Sequence, residues 1–227
     1  MSDPTANVVR IRPLQYVHVL DNNTNVTRVE EGPARLTPQD HETLTLPPTD
    51  MVVVPPRHYC VVTNPVVRDA DGKPKKDAHG QVLLQNGDLE VRFEQPPFPL
   101  HPGERLTVPV KQLDIVLPNT VLRLAATRDF KGDDGTGRKA GDEWLFEGLA
   151  TYKPRVEVKI LEVVNATTIQ PNTALRLRAQ KACKDRKGTE RKAGEEWLVR
   201  EEGTYLPGVD ERVIEVVNPA RSSSSEL

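Results

Sequence analysis

Arg138-Lys139-Ala140-Gly141-Asp142-Glu143-Trp144-Leu145 is written a second time, almost letter for letter, as Arg191-Lys192-Ala193-Gly194-Glu195-Glu196-Trp197-Leu198. Working outward from the two copies without a gap, Pro118-Asn119-Thr120 falls on Pro171-Asn172-Thr173. Thr151-Tyr152 falls on Thr204-Tyr205, and Glu162-Val163-Val164-Asn165 on Glu215-Val216-Val217-Asn218. A constant offset of about 53 residues with roughly half the positions identical marks a repeat architecture. Both tryptophans sit at the same place in their units, where a shared core needs its largest side chain.

A chain of 227 residues could form one large or two ordinary domains. The repeat overrides that prior, because a unit of about 50 residues buries too little surface to stand comfortably alone and has to share its core with a neighbour or a partner. Charged residues make up 28 % and balance to a formal −2, so no bulk field draws nucleic acid or an anionic membrane. Aromatics at 4 % argue against stacking platforms for bases or sugars. The two cysteines, Cys60 and Cys183, do not repeat with the units, which points to a reducing, cytoplasmic setting. Apolar runs fall short of a membrane span, and Met1-Ser2-Asp3-Pro4 does not read as a signal peptide.

Taken in order, residues 1–10 are polar and unpatterned and read as a flexible lead-in. Tyr16 to Leu20 and Val26 to Glu30 alternate about the turn residues Asp21 to Asn25, a β-hairpin. Ala34 to Thr37 and Leu44 to Leu46 could supply further strands. Pro47-Pro48 and Pro55-Pro56 punctuate the chain and bound short strands at Met51 to Val54 and His58 to Val62. Asp69-Ala70-Asp71-Gly72 is a turn and Lys73 to Asp77 a charged loop. Gln81 to Leu84 and Leu89 to Phe93 read as two strands about Asn86-Gly87. Pro96 to Glu104 reads as a stiff connector. Leu122 to Leu124 is a half-buried strand, Trp144-Leu145-Phe146 the central apolar one, and Val156 to Ile160 alternates again. Ser222 to Ser225 is a low-complexity tail.

No stretch reads as an amphipathic helix. The expected fold is all-β: tandem small antiparallel β-sheet modules stacked into an elongated rod. The divisions are a lead-in at 1–10, repeats at 11–50, 51–113, 114–166 and 167–220, and a disordered tail at 221–227.

Three stretches carry residue types that could do chemistry. His58 and Cys60 lie two apart on a strand and point the same way, so a thiolate pair is conceivable; the simpler reading is a strand with one buried cysteine, since no third group orients the pair. Asp69 to Gly72 and Asp129 to Asp134 invite calcium but fail the EF-hand spacing, which would place Phe130 first and Gly141 twelfth; a calcium site of another kind stays open beside the reading as solvated hairpin tips. The paired acids before each tryptophan point apart on a strand, so a tight Gly turn explains them better than a general-acid pair. Phosphate loops, Cys/His metal spacings and the nucleophile elbow do not occur. The expectation is a non-enzyme with no catalytic, cofactor-binding or metal residues and no cofactor.

The phrases Tyr16-Val17-His18-Val19-Leu20-Asp21-Asn22, Val53-Val54-Pro55-Pro56-Arg57-His58-Tyr59-Cys60, Asn64-Pro65-Val66, Pro97-Phe98-Pro99-Leu100, Val116-Leu117-Pro118-Asn119-Thr120 and Gly141-Asp142-Glu143-Trp144-Leu145 resemble the N-terminal repeat region of the major vault protein family. The resemblance covers about residues 10 to 220. It implies short antiparallel repeats forming the staves of the vault ribonucleoprotein shell, with the N-terminal repeats at its waist. Full-length members continue with more repeats, a shoulder domain and a long C-terminal helix. The chain therefore corresponds to a fragment or a short relative, and only the stave-like module carries over. The resemblance also implies self-association, a poly(ADP-ribose) polymerase as a protein partner, and a cytoplasmic location with the nucleus as a further one.

From the residues, the first reading is a structural protein whose edges and sides contact copies of itself without aggregating, since 20 prolines and alternating charges blunt its strands. Arg123, Arg176 and Arg178 against Glu157, Glu162 and Glu215 are candidate lateral partners. The alternative is a docking module that presents loops such as 131–137 and 184–190 to a partner without polymerising.

Overall fold

The computed structural model describes residues 8–218. The tail at 221–227 and most of the lead-in lie outside the described residues. All regular structure within them is β, and every paired strand finds its partners inside one of four consecutive segments. The segments group into two compact units, residues 1–113 and 114–227, each holding two modules.

The first module contains β1 (Val9–Ile11), β2 (Gln15–Asp21), β3 (Val26–Glu31), β4 (Ala34–Leu36) and β5 (Glu42–Asp50). β1 pairs with β4, and a second sheet runs in the order β3-β2-β5. Ordered pairing thus begins at Val9, inside the stretch expected to be lead-in. Alternation on the central strand β2 sends Val17 and Val19 inward, fully buried, where they meet Ile11 with Val9, Leu36 and Leu44 around them. Burying such side chains is worth about 1.5–3 kcal/mol each.

β5 runs straight through Pro47-Pro48, which were expected to end a strand. It is an edge strand, and its register against β2 shifts between His18 and Tyr16, so the prolines sit in a bulge that asks for no amide donor.

The second module contains β6 (Val52–Val54), β7 (His58–Thr63), β8 (Leu89–Arg92), β9 (Gln95–Phe98) and β10 (Arg105–Gln112), with β6 paired to β9 and a sheet in the order β10-β7-β8. Two expectations are corrected. Leu89 to Arg92 pairs with Cys60 to Thr63, not with Gln81 to Leu84, although Gly87 does turn the chain at φ 84°. Residues 66–84 instead form an arm of their own, bridged at Val66 to Leu84, Arg68 to Pro74 and Lys76 to Val82. Second, the proline-rich connector begins as strand β9, because a two-residue ladder to β6 leaves Pro96 and Pro97 without a bond to make.

The third module contains β11 (Ile115–Val116), β12 (Thr120–Ala126), β13 (Phe130–Lys131), β14 (Gly137–Arg138), β15 (Glu143–Glu147), β16 (Ala150–Thr151) and β17 (Val158–Asn165). The fourth repeats it with β18 (Thr167–Ile169), β19 (Ala174–Ala179), β20 (Cys183–Lys184), β21 (Glu190–Arg191), β22 (Glu196–Val199), β23 (Gly203–Tyr205) and β24 (Glu211–Val217). The main sheets run β15-β12-β17 and β22-β19-β24. The tryptophan strand is therefore an edge and not the centre. Leu122 and Leu124 on β12 form the buried core, and Trp144 is only half buried beside them.

One turn precedes the central strand in all four modules. Arg12-Pro13-Leu14-Gln15, Pro55-Pro56-Arg57-His58, Leu117-Pro118-Asn119-Thr120 and Gln170-Pro171-Asn172-Thr173 each close an amide-to-carbonyl bond of 3.0–3.2 Å. Each has proline second and a left-handed residue third, with φ of 61°, 60°, 65° and 62°. Proline presets the second position of such a turn, and asparagine tolerates the third. The carbonyls of Leu14, Arg57 and Asn119 then accept the amides of Met51, Leu113 and Ala166, tying the start of each of the first three modules to the residue just after its last strand.

Candidate interaction surface

The repeated motif folds as a capped turn. In Lys139-Ala140-Gly141-Asp142 the Asp142 amide donates to the Lys139 carbonyl at 3.0 Å, while the Lys139 amide donates to Asp142 Oδ2 at 2.7 Å. Lys192 to Glu195 repeats both bonds, at 3.0 and 2.9 Å. Gly141 and Gly194 take φ of 91° and 80°, open to glycine and strained for other residues. The first acid of each pair is thus a turn cap, and the second points elsewhere: Glu143 to Arg123 at 2.7 Å, Glu196 to Arg176 at 2.7 Å. The motif's arginine lies over its own tryptophan, Arg138 at 4.4 Å and Arg191 at 4.8 Å from the ring centre. A guanidinium therefore covers one face of each indole.

The charges singled out for lateral contact are paired inside their own modules. Arg123 bridges Glu143 and Glu162, and Arg176 bridges Glu196 and Glu215, each spanning the three strands of its sheet. Arg178 also holds Glu196, and Glu157 meets Arg128 and Arg155. Sequence reasoning could not place these pairs because the register, not the spacing, brings them together.

The acidic loops are hairpin tips. Asp69 Oδ1 accepts the amides of Asp71 and Lys73, Asp77 Oδ1 those of His79 and Gln81, and Asp185 Oδ1 those of Lys187 and Thr189. Asp133 is held by Arg155 at 2.6 Å and Asp134 by both terminal nitrogens of Arg138. Arg138, with the Thr136 amide behind it, holds the Asp134 carboxyl well below the usual range. Among the described residues no three His, Cys, Asp or Glu side chains gather as a metal-holding group.

His58 and Cys60 are not joined by a hydrogen bond among the described residues. Cys60 is fully buried with Val54, Val62 and Phe98, and burial pushes its thiol up. His58 Nδ1 instead lies 2.9 Å from the Pro56 carbonyl.

What sequence reasoning missed is how modules touch within each unit. In the first, Gln81 on the arm of the second module accepts the amide of Thr27 on β3 at 2.8 Å. In the second, Arg186 in the β20–β21 loop donates to Glu147 on β15 at 2.6 Å. Each time an arm reaches the edge strand of the preceding module. A second junction in the first unit brings His18 Nε2 to the Leu100 carbonyl at 2.7 Å, beside His101 and the buried pair Arg92 and Glu104, 2.6 Å apart.

Tandem sheet pairs with one shared turn, one capped motif and arm-to-edge contacts define a β-repeat protein. A family model described as the Major Vault Protein repeat domain matches residues 51–110, and another of the same description matches 114–155 and 167–208. The chain is 58 % identical over 212 residues to major vault protein alpha of Dictyostelium discoideum, covering 93 % of this chain and 25 % of that protein. It is 54 % identical over 218 residues to the major vault protein of Gallus gallus, covering 96 % and 25 %. Against that of Homo sapiens it is 54 % identical over 211 residues, covering 93 % and 24 %. The chain belongs to the major vault protein repeat family. It spans about a quarter of the length of these relatives.

Proposed function

We propose that this chain is a non-catalytic structural protein, a set of vault shell repeats acting through lateral and end-to-end association with copies of itself. Each of the four segments ending near residues 50, 113, 166 and 220 serves as one repeat. The observation that carries the reading is the recurrence of one contact: an arm of one module on the edge strand of the module before it, through Gln81 and Thr27 in one unit and Arg186 and Glu147 in the other. Of the two loops that a partner-docking module would leave free, 184–190 is used to stack modules and 131–137 is tied down within its own module, which favours a wall element over a loop-reading adaptor. Balanced, internally paired charge suits reversible contact between many copies. The same reading takes a poly(ADP-ribose) polymerase as a further protein partner and the cytoplasm as the place of work, as the family resemblance implies.

Negative-stain imaging of the heaviest size-exclusion fraction tests it. Rings, curved sheets or barrels are expected; isolated particles of monomer size in every fraction would overturn it.

A further inference from the structure

The four modules finish their outer edges in two ways. The last strand of each, β5, β10, β17 or β24, pairs with the central strand on one side and ends its sheet on the other. All four carry a bulge at the same step, and the bulged residues are Thr45, Thr107, Leu161 and Ile214. In the first two modules the threonine turns back on its own sheet, Thr45 Oγ1 donating to the His18 carbonyl and Thr107 Oγ1 meeting Thr63 Oγ1. A second register shift follows there, at Pro47-Pro48 and Pro109-Val110. A bulge with proline removes donors and bends the strand, the usual way to close an edge. The third and fourth modules have no second shift in this pairing, and where proline stood they carry Val163 and Val216. Leu161, Val163, Ile214 and Val216 are 42, 58, 41 and 44 % exposed. The two open edges belong to modules of one compact unit, and Val163 on β17 and Arg212 on β24 line a groove that also takes in Arg123 and Leu145.

The opposite edge of the same sheets matches them level for level. Ala125 stands in register between Glu143 on β15 and Lys159 on β17; about 53 residues on, Arg178 stands between Glu196 on β22 and Arg212 on β24. Lys159 and Arg212 are exposed and have no ion-pair partner among the described residues, and Arg212 faces the like charge of Arg178. Glu143 Oε1 is likewise without a hydrogen bond there, whereas both oxygens of Glu196 already accept from Arg176 and Arg178. Next to these levels Leu145 and Leu198 occupy the edge that corresponds to the bulged Leu161 and Ile214.

Resting on the proposed self-association, we infer that a second copy in the same orientation lays its β15 and β22 edges along β17 and β24 of the first, Lys159 meeting Glu143 and Arg212 meeting Glu196. The lateral contact belongs to the third and fourth modules, and the proline-closed last-strand edges of the first two do not share in it.

The test is light scattering of the 227-residue chain at about 0.15 M salt, with thermal melts confirming that each variant is folded. The double variant Lys159→Glu with Arg212→Glu, and separately Leu161→Thr with Ile214→Thr, are expected to weaken association by on the order of tenfold. The threonines are the residues the first two modules carry at that bulge. Mixing the Lys159→Glu, Arg212→Glu chain with a Glu143→Lys, Glu196→Lys chain is expected to restore association. Unchanged association of both edge variants would overturn the edge while leaving self-association standing. Failure of the folded mixture to recover, or growth that stops at a dimer, would overturn the same-orientation register. A wild-type chain that never associates would remove this inference and the proposed function together.

Discussion

Arg186 of the fourth module and Glu147 of the third form an ion pair that joins two modules of the second unit, at 2.6 Å, and Arg186 also donates to the carbonyls of Leu206 and Pro207. The equivalent place in the third module holds Asp133, bound to Arg155 of its own module. One position thus serves an internal cap in one repeat and a module contact in the next. Both side chains are about a third or more exposed, so Arg186→Ala should cost only about 1 kcal/mol in chemical denaturation, and a double-mutant cycle with Glu147→Ala should give a coupling of roughly 0.5 kcal/mol. A coupling indistinguishable from zero would remove the pair as a module contact.

Arg92 and Glu104 are a different case. Their side chains are 4 % and 0 % exposed, and Glu104 also accepts the amides of Val66 and His101. Glu104→Gln removes the buried one of the guanidinium's two counter-charges and leaves only the more exposed Glu90, 2.7 Å from Nε, so a loss of about 2–3 kcal/mol is expected. An equilibrium unfolding midpoint within error of wild type would contradict it.

His18 and His101 give this junction a pH dependence. Burial lowers both imidazoles; Glu104 opposes the shift at His101, while Arg68 and Arg92 add to it, and Tyr16 and the Leu100 carbonyl lie beside His18. The folded state prefers them neutral. Stability is therefore complete above the unfolded value of about 6.5 and falls as pH drops through it toward the folded values. Tm should be lower at about pH 5.5 than at about pH 7.5, and His101→Gln should reduce the difference. An unchanged difference in that variant would exclude His101 as a source.

Leu14 and Arg57 hold the left-handed turn position that Asn119 and Asn172 hold in the later modules. Leu14 is 53 % exposed, and Arg57 is exposed too. Leu14→Asn or Arg57→Asn should relieve strain and stabilise by up to about 1 kcal/mol. A Tm below wild type for both would show that these side chains contribute more than their backbone costs.

The repeat, the all-β class and the first hairpin were legible because they rest on local signals: an identity at fixed offset, alternation, and turn residues. Proline misled the reading, since whether it ends a strand depends on whether that strand is an edge, as β5 and β9 are. β10 went unread, although Leu106, Val108 and Val110 alternate, because its two register shifts and Pro109 break the pattern. Asn86-Gly87 does turn the chain, but the strand after it pairs across the module with β7, a choice local turn chemistry does not make. The Trp144 strand looked central by hydrophobicity, yet it pairs only with β12 and stands at the sheet's edge, its half-buried indole covered on one face by Arg138. The charges showed which residues could pair; the register decided that Arg123 and Arg176 pair within their sheets.

Sedimentation velocity of the chain over a wide concentration range tests self-association most directly. A weight-average sedimentation coefficient that rises with concentration and keeps rising past the dimer is the expected result. A constant monomer value at every concentration would contradict it.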